Sequence, residues 1–95
     1  MTEGERERLY MLAEEAAEVI QMVNKILRHG YDSYHPNDMF KTSNGVLLQE
    51  EITDFLSIID RMNLIDDIDV DLYDGVSLKD RWKSKLKYTR HQNNG

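Results

Sequence analysis

The residues able to do chemistry in this chain are four carboxylates set in two pairs. Glu15 and Glu18 lie in Glu14-Glu15-Ala16-Ala17-Glu18, and Glu51 and Asp54 lie in Glu50-Glu51-Ile52-Thr53-Asp54. Side chains three apart on a helix lie on nearly one face, so each pair projects together. Each carboxylate also stands one position before an apolar stripe residue: Glu15 before Ala16, Glu18 before Val19, Glu51 before Ile52, Asp54 before Phe55. If the two stripes pack, both pairs line the edge of one interface. Carboxylates crowded there repel one another and call for protons or cations. Oxygen donors of this kind suit Mg²⁺, which keeps positions open for water and substrate phosphates, with Mn²⁺ as the alternative. Ala16 and Ala17 are small and leave room beside the first pair. The competing reading is two solvated helix faces, because Glu-x-x-Glu is common in acidic helices.

Cations stand nearby. Lys25 follows Glu18 by seven residues, two turns along the same face and roughly 10 Å away. That separation suits a cation gripping the far phosphates of a metal-bound polyphosphate. Arg28 and His29 sit near the same end. All three also have a simpler reading, as favourable charge at a helix C-terminus. A di-iron centre would use a Glu-x-x-His element, and no histidine here follows a Glu by three residues. Asp67-Ile-Asp69-Val-Asp71 lacks the Gly and Glu that an EF-hand loop needs at its sixth and twelfth positions, where Leu72 and Leu78 stand. The acidic run therefore reads as a solvated loop. There is no phosphate-cradling glycine loop, no zinc spacing and no cysteine.

These groups need helices to hold them. Leu9, Leu12, Ala16, Val19, Val23 and Ile26 recur at three- and four-residue steps and predict a helix over about 5–29, ended by Gly30. Leu48, Ile52, Phe55, Ile59 and Met62 predict a second over about 46–62. Ser77, with Asp80 three residues on, predicts the capped start of a third over about 78–91, with Trp82 and Leu86 packed on the core. The end, His91 to Gly95, is expected to fray. Between the first two helices, Tyr31 to Asn44 reads as a loop rich in turn formers, with the only proline, Pro36. It also holds Tyr31, Tyr34, His35, Met39 and Phe40, large groups for a plain connector. A loop of this length in a small domain points to function or mobility rather than a simple connector. No strand-like alternation appears. The fold class is all-α, a bundle of three helices in one domain over 1–95.

Ninety-five residues bury a limited core, and with no cysteine the expected reinforcement is oligomerisation. Apolar residues make up 40% and charged residues 32%, which fits a folded helical chain rather than a disordered one. The start, Met-Thr-Glu-Gly-Glu-Arg-Glu-Arg, has no apolar leader, and no run is long enough to span a bilayer, so the expected location is cytoplasmic. A net charge of −6 argues against nucleic acid as the main partner. Positive charge is concentrated late, with six of the twelve Lys and Arg between Lys79 and Arg90.

Taken together, Leu12-Ala13-Glu14-Glu15-Ala16-Ala17-Glu18 and Glu51-Ile52-Thr53-Asp54-Phe55-Leu56 resemble the Glu-x-x-Glu and Glu-x-x-Asp signature of MazG-like all-α nucleotide pyrophosphohydrolases. Lys25 to Tyr31, Ser33, His35-Pro36-Asn37 and Asn44 are similar to a small subgroup of such proteins. The resemblance covers roughly Leu9 to Met62. It implies Mg²⁺-dependent hydrolysis of a nucleoside triphosphate, or a related nucleotide, between the α and β phosphates. The implied metal ligands are Glu15, Glu18, Glu51 and Asp54, with Glu14 or Glu15 helping to deprotonate the attacking water. Implied substrate contacts are Lys25, Arg28, His29, Tyr34, His35 and Asn44, joined by Lys83, Lys87 and Arg90. The family implies a homodimer or a dimer of dimers. Two departures stand out: a longer gap between the motifs, filled by the 31–44 loop, and a poor match at the C-terminus. The alternatives are a non-catalytic helical dimer that binds nucleotide or a protein partner, and a DNA-binding module using the last helix.

Overall fold

A computed structural model describes residues 1–92, and among them all regular structure is helical. The elements are α1 (Glu3–His29), α2 (Asn44–Leu64) and α3 (Gly75–Leu86). The chain is all-α, as expected, and part of the fraying expected at the C-terminus falls on residues 93–95, outside the described residues. No helix among the described residues is long and apolar enough to cross a membrane.

α1 begins two residues earlier than its apolar stripe predicts. The Thr2 side chain accepts from the Glu5 N–H, and the Glu5 carboxylate accepts from the Thr2 N–H, a closed capping box. Gly30 ends the helix as expected. Its φ is +93°, a value that a side chain would strain, and its N–H closes back on Ile26 O. α2 also begins two residues before the predicted point. Ser43 Oγ caps it by accepting from Val46 N–H, so Asn44 belongs to the helix and not to the loop.

α1 and α2 pack as an antiparallel hairpin, and two polar fasteners define its ends. At one end Asn44 Nδ2 donates to Gly30 O. At the other, 59 residues apart in sequence, Arg8 grips the Asp67 carboxylate through Nε and Nη2. The hydrogen bonds from Arg8 hold the Asp67 carboxyl below its ordinary value. This corrects the reading of the acidic run as wholly solvated, since Asp67 is half-buried in an ion pair. After α2 the connector is bracketed by Asn63, whose Oδ1 accepts from Val70 N–H and whose Nδ2 donates to Val70 O.

The third helix departs most from expectation. Asp74, not Ser77, caps it by accepting from Ser77 N–H, so Ser77 lies inside the first turn. The helix ends at Leu86 rather than near His91. It packs on neither α1 nor α2. Trp82 is 48% exposed, so the expected docking of Trp82 and Leu86 on the core does not occur within one chain.

The core of the single chain is correspondingly thin. Met62 is its only fully buried apolar side chain among the described residues. The stripe residues Leu9, Val23 and Ile52 remain partly exposed, and Ile20 and Leu27 are 61% and 78% exposed. The accessible surface is 8043 Å² for a mass of 11.2 kDa, against about 5,700 Å² expected for a compact monomer of that mass. Much of the exposed apolar surface lies on the helices, as at Ile20, Leu27, Leu56 and Leu64.

Candidate metal centre and substrate cavity

The hairpin brings the two acidic motifs together at mid-height. Glu15 and Glu18 from α1 and Glu51 from α2 each offer an oxygen within 4.8 Å of the others. All three are half-buried at the edge of the α1–α2 seam. Asp54, one turn further along α2, is exposed and stands outside this group of three, lining a shallow hollow with Gln49, Glu50 and Thr53. Glu14 is likewise exposed. The expected four-carboxylate site is thus a convergent triad with Asp54 beside it, close enough to repel Glu15 and Glu51.

Electrostatics mark the triad as strained in charge. The Glu51 carboxyl is pushed up from 4.5 to about 6, first because its protonated form donates a hydrogen bond to Glu18. Burial and repulsion by Glu18, Asp54 and Glu15 add to this. Glu15 is raised too, first by burial and then by repulsion from Glu18 and Asp54. Glu15 Oε2 and Glu51 Oε2 are shielded from solvent and have no hydrogen-bond partner among the described residues. Shielded carboxylate oxygens without donors are costly. A cation or a shared proton relieves that cost, and an all-oxygen donor set fits Mg²⁺ or Mn²⁺.

The second feature lies at the end of the hairpin where Gly30 meets Asn44. The segment between them folds as a compact Ω-type loop with both ends tied down. Asn44 N–H donates to Ser33 O and Gly45 N–H to Tyr31 O. Inside the loop, Asp38 accepts from Phe40 N–H and Thr42 N–H, which holds its carboxyl below the ordinary value. His35 Nδ1 accepts from Asn37 N–H.

This loop and the last turns of α1 enclose a cavity of about 230 Å³. Lys25, His29, Tyr34, His35 and Asn44 all line it. Arg28 does not; it is exposed on the last turn of α1. Lys83 lies on α3, Lys87 caps its end and Arg90 follows. Because α3 packs on neither other helix, one chain does not assemble these three cations with the triad. Sequence reasoning missed the Arg8–Asp67 fastener and the organising role of Asp38. An aspartate followed two and four residues on by free backbone N–H groups is the local signal for the second.

No protein-family model matches the chain, and neither a curated protein nor a solved structure matches it.

Proposed function

We propose that this chain is a Mg²⁺-dependent nucleotide pyrophosphohydrolase that acts as a homodimer or a dimer of dimers. The observation that carries the reading is the convergence of Glu15, Glu18 and Glu51 from two helices, with Glu15 Oε2 and Glu51 Oε2 lacking donors. The MazG-like motif pattern supplies the reaction. Glu15, Glu18 and Glu51 would hold the metal, with Asp54 as a fourth ligand after a change of rotamer. Bound there, Mg²⁺ supplies charge neutralisation on the phosphates and makes a water easier to deprotonate. Glu15 is favoured over Glu14 as the proton acceptor, because it belongs to the convergent triad whereas Glu14 is exposed outside it. Water adds to phosphorus at the α–β bridge, the bridging bond breaks, and the proton passes to Glu15. The products are a nucleoside monophosphate and pyrophosphate.

Unpartnered apolar surface supports the dimer reading. Leu9, Ile20, Leu27 and Leu56 are exposed along α1 and α2, and the chain has far more surface than a compact monomer of its mass. A second copy would cover this face and give Lys83, Lys87 and Arg90 a route to a neighbour's substrate phosphates.

The test is a panel of ribo-, deoxy- and modified nucleoside triphosphates with Mg²⁺, read by pyrophosphate release. Turnover of at least one member is expected. It disappears in EDTA and drops by on the order of a hundredfold or more in Glu15→Gln. Failure to turn over any nucleotide, with Mg²⁺ still raising the melting temperature, would replace this reading with a non-catalytic metal-binding dimer.

A further inference from the structure

We infer that the cavity beneath the 31–43 loop is a nucleobase pocket, with the ring stacked on Tyr34 and hydrogen-bonded by the Asn44 carboxamide. The inference rests on the nucleotide reading of the acidic triad and identifies the part of the substrate that lies away from it. At about 230 Å³ the cavity is smaller than the roughly 300–1,000 Å³ of sites for drug-sized ligands, so it holds a ring and not a whole nucleotide.

Asn44 gives the pocket its polar edge. The residue is 2% exposed, yet it lines the cavity. Its Nδ2 is committed to Gly30 O, while its Oδ1 has no partner among the described residues. That oxygen can accept from an N–H on the edge of a heterocycle. His35 adds a donor. Its Nδ1 accepts from Asn37 N–H, so in the neutral ring the proton sits on Nε2. Lys25 lines the same cavity and supplies a second donor there, in place of the expected grip on phosphate.

Tyr34 gives the pocket its flat wall. The Lys41 ammonium stands 6.0 Å from the ring centroid, and Tyr34 as a residue is 43% exposed, which leaves surface for a planar group. Stacking on such a face tolerates any base and adds affinity without demanding one sequence of donors.

A free-phosphate site would need unspent donors, and the start of α2 has none. The N–H groups of Asn44, Gly45 and Val46 are taken by Ser33 O, Tyr31 O and Ser43 Oγ. No carboxylate lines the cavity. Lys25 and Glu18 are seven residues apart on α1, about 10 Å. That is the order of the distance from a base to the α–β bridge of its own nucleotide.

The experiment titrates free nucleosides into the full chain in EDTA and follows backbone and side-chain amide signals by NMR. With neither phosphate nor metal present, it is blind to catalysis. Nucleosides are expected to shift the signals of Tyr34, His35 and the Asn44 side chain. Tyr34→Ala is expected to weaken binding about tenfold, and Tyr34→Phe to preserve it. Inorganic pyrophosphate is expected to leave these signals in place. Nucleosides that leave the loop signals unmoved would overturn the pocket, even in a chain that releases pyrophosphate. Displacement of nucleoside by pyrophosphate at the same signals would overturn it in favour of a phosphate site. A chain that binds nucleosides here but hydrolyses nothing would keep the pocket and lose the activity.

Discussion

Replacing Glu51 with Gln keeps the shape of the triad and removes one of its charges. The native state raises the Glu51 carboxyl from 4.5 to about 6, so it holds that proton more tightly than the unfolded chain does. Each unit corresponds to about 1.4 kcal/mol, which sets a ceiling of about 2 kcal/mol on the cost of ionising Glu51 in the fold. Glu51 is partly open to water, and screening reduces the figure to about 1 kcal/mol. In a domain of this size that corresponds to about 4–8 °C in melting temperature. Without metal at pH 8, Glu51→Gln is therefore expected to melt above the parent chain by about that margin. The parent loses stability as pH rises from 4.5 through about 6, because the native state binds more protons there than the unfolded state. At pH 4 both states of the parent carry the proton, and the margin closes. Mg²⁺ should reverse the order, since a ligand at a hundred times its Kd stabilises by about 2.7 kcal/mol and the variant lacks a ligand oxygen. Melts at fixed protein concentration, at pH 4 and pH 8 and with EDTA or Mg²⁺, test each part. A variant that melts below the parent at pH 8 in EDTA, or a margin unchanged at pH 4, would refute the picture of a charge-strained triad.

Three further outcomes are expected. Asn44→Ala leaves Gly30 O without its donor at the loop end of the hairpin, and denaturant unfolding should show a loss of about 1–3 kcal/mol. Arg8→Met opens the far end and lowers the melting temperature at pH 7. That difference should shrink as pH falls from 3.8 through the lower native value of Asp67, where the carboxylate takes up its proton; a pH-independent difference would show that the charge is not the cause. Sedimentation should find a dimer or tetramer at micromolar concentration, and Ile20→Glu with Leu27→Glu should shift it towards monomer with the helical content kept.

The two long helices are legible in the sequence because their stripes are strong, but the stripes do not say what covers them. Leu12, Ala16 and Val19 are half-buried in the seam, whereas Leu9, Val23 and Ile52 stay exposed. A period of 3.6 residues is the same whether the covering helix belongs to the same chain or to another. Helix starts were missed where the cap lies outside the apolar run, as with Thr2, Ser43 and Asp74. Asn44 and Gly45 look like loop residues by type, yet Ser43 caps the helix that contains them. The pairing of Glu15 and Glu18 with Glu51 follows from their common offset to the stripes. The separation of Asp54 from them depends on how the helices cross, which local spacing does not encode. Arg8 and Asp67 form a contact of the same kind, invisible without the hairpin geometry.

The bond at which a nucleotide is cut is measured directly by ³¹P NMR of its products. With Mg²⁺ and the preferred nucleoside triphosphate, monophosphate and pyrophosphate are expected in equal amounts. Both should be absent in EDTA and nearly absent in Glu15→Gln. Diphosphate with inorganic phosphate, or equal product formation by parent and Glu15→Gln, would contradict the proposed function.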